Sequence, residues 1–182
     1  NKPASGWTAF NDALAKGLNK GRNGLGVLYV FSGGNGAWEG DYSSADSATS
    51  SRGVITVCPV DAAGERSPYS ERGSNLTVCA PSGRSTTPAT APEITTTAVK
   101  DKYTEDFGGT SAAAPMVSGV AALMLQANPR LTWRDVPLIL ARTARQVDAS
   151  KGGWSELRSP LAGVTGHDVL RYSHHYGFGV VD

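Results

Sequence analysis

Two glycine-framed segments of the chain hold side chains that could do chemistry. The first is Phe107–Gly108–Gly109–Thr110–Ser111–Ala112–Ala113–Ala114–Pro115. Two glycines permit a sharp turn and leave space above the next side chain. Proline is tolerated only near the first turn of a helix, so Pro115 places a helix start at Ser111 or just before it. Ser111 then stands at the positive end of a helix dipole, where its hydroxyl and its backbone N–H can both face an anion. That position suits a nucleophile whose attack generates an oxyanion. On spacing alone, a plain N-cap serine is the commoner use of it. The G-x-S-x-G nucleophile elbow is not matched, because Ala113 stands where its second glycine would be. The other segment is Ser32–Gly33–Gly34–Asn35–Gly36, which by itself reads as an Asn-Gly turn. Glu39, Asp41 and Asp46 follow it, and taken singly they read as exposed loop carboxylates.

These residues need elements to position them. Residues 8–20 carry Phe10, Leu14 and Leu18 at helical spacing, with Thr8 as a cap and Gly21 as a stop. Leu25–Phe31, Val54–Val60 and Leu76–Ala80 are short apolar runs without alternation, the pattern of strands buried on both faces. Residues 81–92 form a Ser/Thr/Pro loop, and Ile94–Val99 is β-branched and extended. A long helix is expected from Thr110 to Ala127, and a further one after Thr132 with Asp135 in its first turn. The tail from 148 to 182 has no clear periodicity. Strands alternating with helices predict an α/β domain around a parallel sheet.

Composition excludes several classes of partner. The 182 residues suffice for one core, with 40% hydrophobic and 18% charged. A net charge of +1 argues against a large surface for nucleic acid or anionic lipid. No stretch reaches the roughly 20 apolar residues of a membrane span. The two cysteines, Cys58 and Cys79, are not spaced as CxxC and have no histidine cluster beside them, which argues against zinc. They read either as two buried thiols or as a disulfide, and a disulfide would imply an oxidising compartment.

The segment GTSAAAPMVSGVAAL around Ser111 resembles the nucleophile segment of subtilisin-like serine proteases. LGVLYVFSGGNGA is similar to that family's strand leading into its oxyanion asparagine, and VITVCPVDAAGERSPYSERGSNLTVCAPSG to its next two core strands. LTWRDVPLILARTA and HHYGFGVVD resemble the kexin/furin-like branch. The resemblance implies a three-layer α/β fold with a mostly parallel central sheet. Residues 1–182 would be the C-terminal portion of one catalytic domain, with the catalytic Asp and His segments upstream and any second β domain downstream. It implies Ser111 as nucleophile and Asn35 as oxyanion donor. Ser32, Gly33 and Gly34 would form a wall of the substrate pocket. Asp46, 11 residues after Asn35, would be the pocket charge for Arg or Lys. The residues around Asp46, SSADSA, depart from furin, and the neighbouring cysteines are lacking.

Asp41 and Glu71, in the PYSE context, match two carboxylates of a calcium site whose third acid would precede Asn1. The family also places the two cysteine strands near each other, which implies a Cys58–Cys79 disulfide. Its catalytic histidine lies in an HG motif, and none of His167, His174 and His175 is followed by Gly. The expectation is therefore a secreted or periplasmic endopeptidase that acts on polypeptides, with this portion inactive alone. The competing expectation is a non-catalytic binding or scaffold module built on the same half-sheet.

Overall fold

The computed structural model of the chain describes residues 5–84, 93–158 and 169–182. Helix α1 spans Ser5–Lys20. It begins ahead of the expected Thr8 cap, because Trp7 packs edge-on against Phe10 one turn later, with ring centroids 5.6 Å apart. Arg22 and Asn23, at φ 50° and 58°, end it. The amides of Leu25, Gly26 and Val27 all donate back, to Arg22, Gly21 and Gly17 carbonyls. That commitment delays the next ladder, so strand β1, Tyr29–Ser32, starts four residues into the expected run and ends one residue past it.

Strands β2 (Val54–Val60) and β3 (Leu76–Pro81) follow. The three form one parallel sheet in the order β1-β2-β3, with Tyr29 opposite Val54 and Cys58 opposite Cys79. Alternate side chains point to opposite faces. Leu28, Val30, Ile55, Val57, Val78 and Ala80 pack on one face against Ala113, Val117 and Ala121 of helix α2, Thr110–Ala127. Val136 and Leu140 of helix α3, Asp135–Thr143, join that core. On the other side Phe31 meets Phe10 of α1, and the Tyr29 hydroxyl occupies the space that a Cβ at Gly17 would need. The expected layered α/β fold around a parallel sheet is what forms.

Helix α3 starts in a reciprocal cap. The Thr132 N–H donates to Asp135 Oδ2 at 2.7 Å, and the Asp135 N–H to Thr132 Oγ1 at 3.3 Å. The Thr132 backbone N–H, and after it the Thr132 side chain, favour the ionised carboxylate, so Asp135 is held below the usual carboxylate range.

Two pairings were not legible from periodicity. Ile94–Ala98 (β4) turns at Lys100 and Asp101, both at positive φ, into an antiparallel partner, Lys102–Phe107 (β5). In the tail, Ser155–Arg158 (β6) pairs with Val169–Tyr172 (β7). Residues 179–181 then run beside β3: the Cys79 N–H donates to Gly179 O and the Val181 N–H to Cys79 O, both at 2.8 Å. Residues 85–92 of the Ser/Thr/Pro loop, and His167, lie outside the described residues.

Cys58 and Cys79 form a disulfide between directly opposed residues of β2 and β3, with a Cα–Cα distance of 4.2 Å and a sequence separation of 21. It sits in a second core with Val60, Leu76, Val147, Tyr176 and Val180, on the face away from α2. In the chain-entropy account, closing a loop of this length stabilises by about 3 kcal/mol. Reduction, verified by thiol counting, is expected to lower the unfolding free energy from urea titration by about that amount. An unchanged midpoint would contradict the estimate.

Candidate active site

Parallel strands carry the loops after β1 and β3 to the same, C-terminal edge of the sheet, the usual place for ligands in open α/β folds. The start of α2 arrives there too. Asn35, exposed after β1, is fixed through its carbonyl end: Oδ1 accepts the Thr110 N–H at 2.9 Å and the Thr110 Oγ1–H at 2.9 Å. The amide end, Nδ2, is left facing Gly109. A Cβ built on Gly109 would stand 3.3 Å from Asn35 Nδ2 and 3.7 Å from the Ser111 nitrogen. The two nitrogens therefore border one small space whose floor is a glycine. Ser111 is exposed in the first turn of α2, where a backbone N–H has no preceding helical carbonyl to bond. An amide and a helix-terminal N–H aimed at one point can stabilise a developing oxyanion without carrying charge themselves.

Gly109 has φ +77° and ψ 173°, a region essentially reserved for glycine. Its carbonyl accepts the Ser82 hydroxyl at 2.8 Å and the Ala112 N–H at 3.1 Å. Ser82 is 3% exposed, and its own N–H donates to Val60 O at 2.7 Å. Beside it the Tyr69 hydroxyl donates to Gly83 O at 2.7 Å, and so does the Ser67 hydroxyl at 2.9 Å. Neither Thr110 nor Ser82 stood out in the sequence as a site residue. A threonine between a glycine and an exposed helix-start serine is a faint signal for the first. A serine in a Ser/Thr/Pro-rich loop carries none for the second.

The loop from Ser32 to Gly36 is packed from beneath. Ser32 pairs with Val57, and the Gly33 N–H donates to Val57 O at 2.9 Å. The Glu71 carboxylate fills the space a Gly34 Cβ would need, and its Oε1 accepts the Gly36 N–H at 2.9 Å. Asp41 Oδ2 lies 2.5 Å from the Cβ position of Gly36. Both acids thus meet at Gly36, but no group of three possible metal ligands forms among the described residues. Two carboxylates are part of the six to eight oxygens calcium takes, and not a site by themselves.

Asp46 is exposed, and its Oδ1 accepts the Ala48 and Thr49 N–H groups at 2.8 and 2.9 Å. The loop holding it is anchored on buried Ser43, whose carbonyl accepts from Thr49 Oγ1 and Asn75 Nδ2. Among the described residues no histidine or carboxylate is hydrogen-bonded to Ser111. His174 and His175 lie by Gly73, Arg66 and Arg72. Burial, and then the charges of Arg66, Arg72 and His174, push the His175 pKa down, while Asp148 opposes.

A family model for the Subtilase family (peptidase S8) matches residues 2–179. Protease KEX1 of Kluyveromyces lactis is 38% identical over 96% of this chain, and human proprotein convertase subtilisin/kexin type 6 is 39% identical over 93%. The chain spans 21% and 16% of their lengths. Among solved structures, a serine protease of Aeromonas sobria superposes with a TM-score of 0.80 at 22% identity, covering 99% of this chain and 39% of that one. A protease from Pseudoalteromonas arctica does so at 0.65 and 29%, covering 91% and 43%. The fold and these relatives place the chain in the subtilisin-like class. The chain belongs to the Subtilase family, and its relatives at 36–39% identity include kexins and proprotein convertases.

Replacing Gly109 by Ala forces an L residue into its φ/ψ region, at a cost of about 1–3 kcal/mol. Thermal unfolding should fall accordingly for Gly109→Ala. An unchanged transition temperature would refute the requirement for glycine.

Proposed function

We propose that Ser111 is the nucleophile of a serine endopeptidase and that Asn35 Nδ2 and the Ser111 N–H form its oxyanion hole. The observation that carries this reading is their common approach to the space above Gly109. Ser111 Oγ attacks the scissile carbonyl carbon and gives its proton to a base. The carbonyl electron pair moves onto oxygen, where the two donors receive it. Collapse of the intermediate breaks the C–N bond, the amine leaves with a proton, and water releases the acyl group.

The base and its orienting acid are supplied by the rest of the catalytic domain, upstream of Asn1. Two features support a further portion packing here. The β1 edge has no second strand among the described residues, and Leu123 on the outer side of α2 is 65% exposed. This portion alone is then inactive. A fluorophosphonate probe should leave the isolated 182-residue chain unlabelled and should label Ser111 in the complete domain. Labelling of the isolated chain would mean that it holds a base of its own.

Cleavage after Arg or Lys is supported by the kexin-type relatives and by Asp46. One oxygen of Asp46 holds its turn, and the other is left for a substrate cation, on a loop fixed by Ser43. A charge-assisted hydrogen bond on so fixed a carboxylate favours guanidinium or ammonium over an apolar side chain. Ser32, Gly33 and Gly34 would leave room for the long side chain. Asp41 and Glu71 would hold calcium with oxygens from beyond the described residues, bracing the loop that presents Asn35. The disulfide supports an oxidising, secreted or periplasmic setting.

In the complete enzyme, Asp46→Asn should cut kcat/KM on Arg-ending peptides by about tenfold or more, the scale of a charged hydrogen bond, and leave Phe-ending peptides little changed. Equal losses on both, or a parental preference for Phe, would assign Asp46 to the turn alone.

A further inference from the structure

We propose that Ser82 is a positioning residue for the oxyanion hole, acting on Asn35 through a single peptide group. This rests on the oxyanion-hole reading above. The Gly109–Thr110 peptide is gripped at both ends. Its C=O accepts the Ser82 hydroxyl at 2.8 Å, and its N–H donates to Asn35 Oδ1 at 2.9 Å. A peptide is planar, so fixing its carbonyl direction fixes its N–H direction. The Thr110 hydroxyl adds a second donor to the same Oδ1. Asn35 is exposed, and these two bonds are what set the direction of Nδ2.

The residue gripping the other end is well anchored. Ser82 is 3% exposed, and its backbone N–H is tied to Val60 O at 2.7 Å. The sheet thus sets the position of the Ser82 oxygen, Ser82 sets the peptide, and the peptide sets the asparagine. Hydrogen bonds in series polarise one another, so the Ser82 donor also strengthens the Thr110 N–H. The peptide needs such a restraint. With φ at +77° and no side chain, Gly109 sits where the chain has wide rotational freedom, and the other contact of its carbonyl outside the helix ladder, among the described residues, is the Ala112 N–H at 3.1 Å.

Proton accounting separates Ser82 from its neighbour. The Tyr69 and Ser82 oxygens are 3.2 Å apart, and each carries one proton. The shorter distances assign the Tyr69 proton to Gly83 O, at 2.7 Å, and the Ser82 proton to Gly109 O, at 2.8 Å. Removing the Tyr69 hydroxyl therefore leaves the Gly109 contact in place, although both residues are buried in one cluster.

The test compares kcat and KM in the complete enzyme for Ser82→Ala, Tyr69→Phe, Asn35→Ala and the Ser82→Ala/Asn35→Ala double variant. Ser82→Ala should lower kcat about tenfold, with KM within about twofold, the scale of one hydrogen bond lost where the transition state needs it. Tyr69→Phe should leave kcat within about twofold. In the Asn35→Ala background the Ser82→Ala effect should shrink below about twofold, because its route is gone. Full additivity in the double variant, or an equal kcat loss from Tyr69→Phe, overturns the relay while leaving the oxyanion hole intact. An Asn35→Ala variant with parental kcat overturns the oxyanion hole itself, and the relay with it. Should Ser82→Ala fail to fold, Ser82→Thr keeps the hydroxyl. Its kcat should stay within about twofold, and a tenfold loss would overturn the proposal.

Discussion

Two hydrogen bonds from Thr110 to one oxygen of Asn35 join the loop after β1 to the start of α2, across 75 residues of sequence. Everything proposed for the site depends on that junction. Without it, Asn35 would be an exposed turn residue free to rotate, and Ser111 an ordinary serine in a first helical turn. With it, Asn35 Nδ2 and the Ser111 nitrogen both lie within 3.7 Å of the position a Cβ on Gly109 would take, and the proposed oxyanion hole rests on that proximity. The parallel sheet makes the junction possible. It puts the ends of β1 and β3 on one edge, and α2 packs along the face beneath with its N-terminus at that edge. Small residues at Ala112, Ala113 and Ala114 bring the first turn of α2 into the core, and all three are buried.

The loops at this edge are braced by buried polar groups more than by apolar contact. Ser43, Ser67, Ser82 and Thr110 are each no more than 3% exposed, and each bonds a backbone or amide group of another segment. A buried hydroxyl is costly when unpaired and directional when paired. Such groups therefore fix loops in one arrangement where apolar packing would allow several. Catalysis by differential transition-state binding asks for that kind of preorganisation. Half-buried Glu71 extends the pattern, because its Oε1 accepts the Gly36 N–H beside Asn35.

Much of this was legible in the sequence where a residue's own constraint is local. Pro115 placed the start of α2, the unalternating runs gave β2 and β3, and Thr132 with Asp135 marked the cap of α3. Ser111 and Asn35 became site candidates only through family resemblance, since spacing alone favours a cap and a turn. The misses share a cause. Strand β5 reads KYTEDF, largely exposed and without a buried face to create a pattern. The tail beside β3 takes its structure from Cys79, a hundred residues earlier, so nothing local specifies it. Ser82 acts through a backbone carbonyl, and a carbonyl has no sequence signature.

The central claim is that Asn35 and the Ser111 N–H together receive the oxyanion formed when Ser111 attacks. The most direct measurement is a crystal structure of the complete catalytic domain with a peptide aldehyde or boronate, whose tetrahedral adduct carries that oxygen. The account predicts a covalent bond to Ser111 Oγ and the adduct oxygen within about 2.7–3.1 Å of both Asn35 Nδ2 and the Ser111 nitrogen. An adduct on another side chain, or an oxygen turned away from Asn35 into solvent, would contradict it.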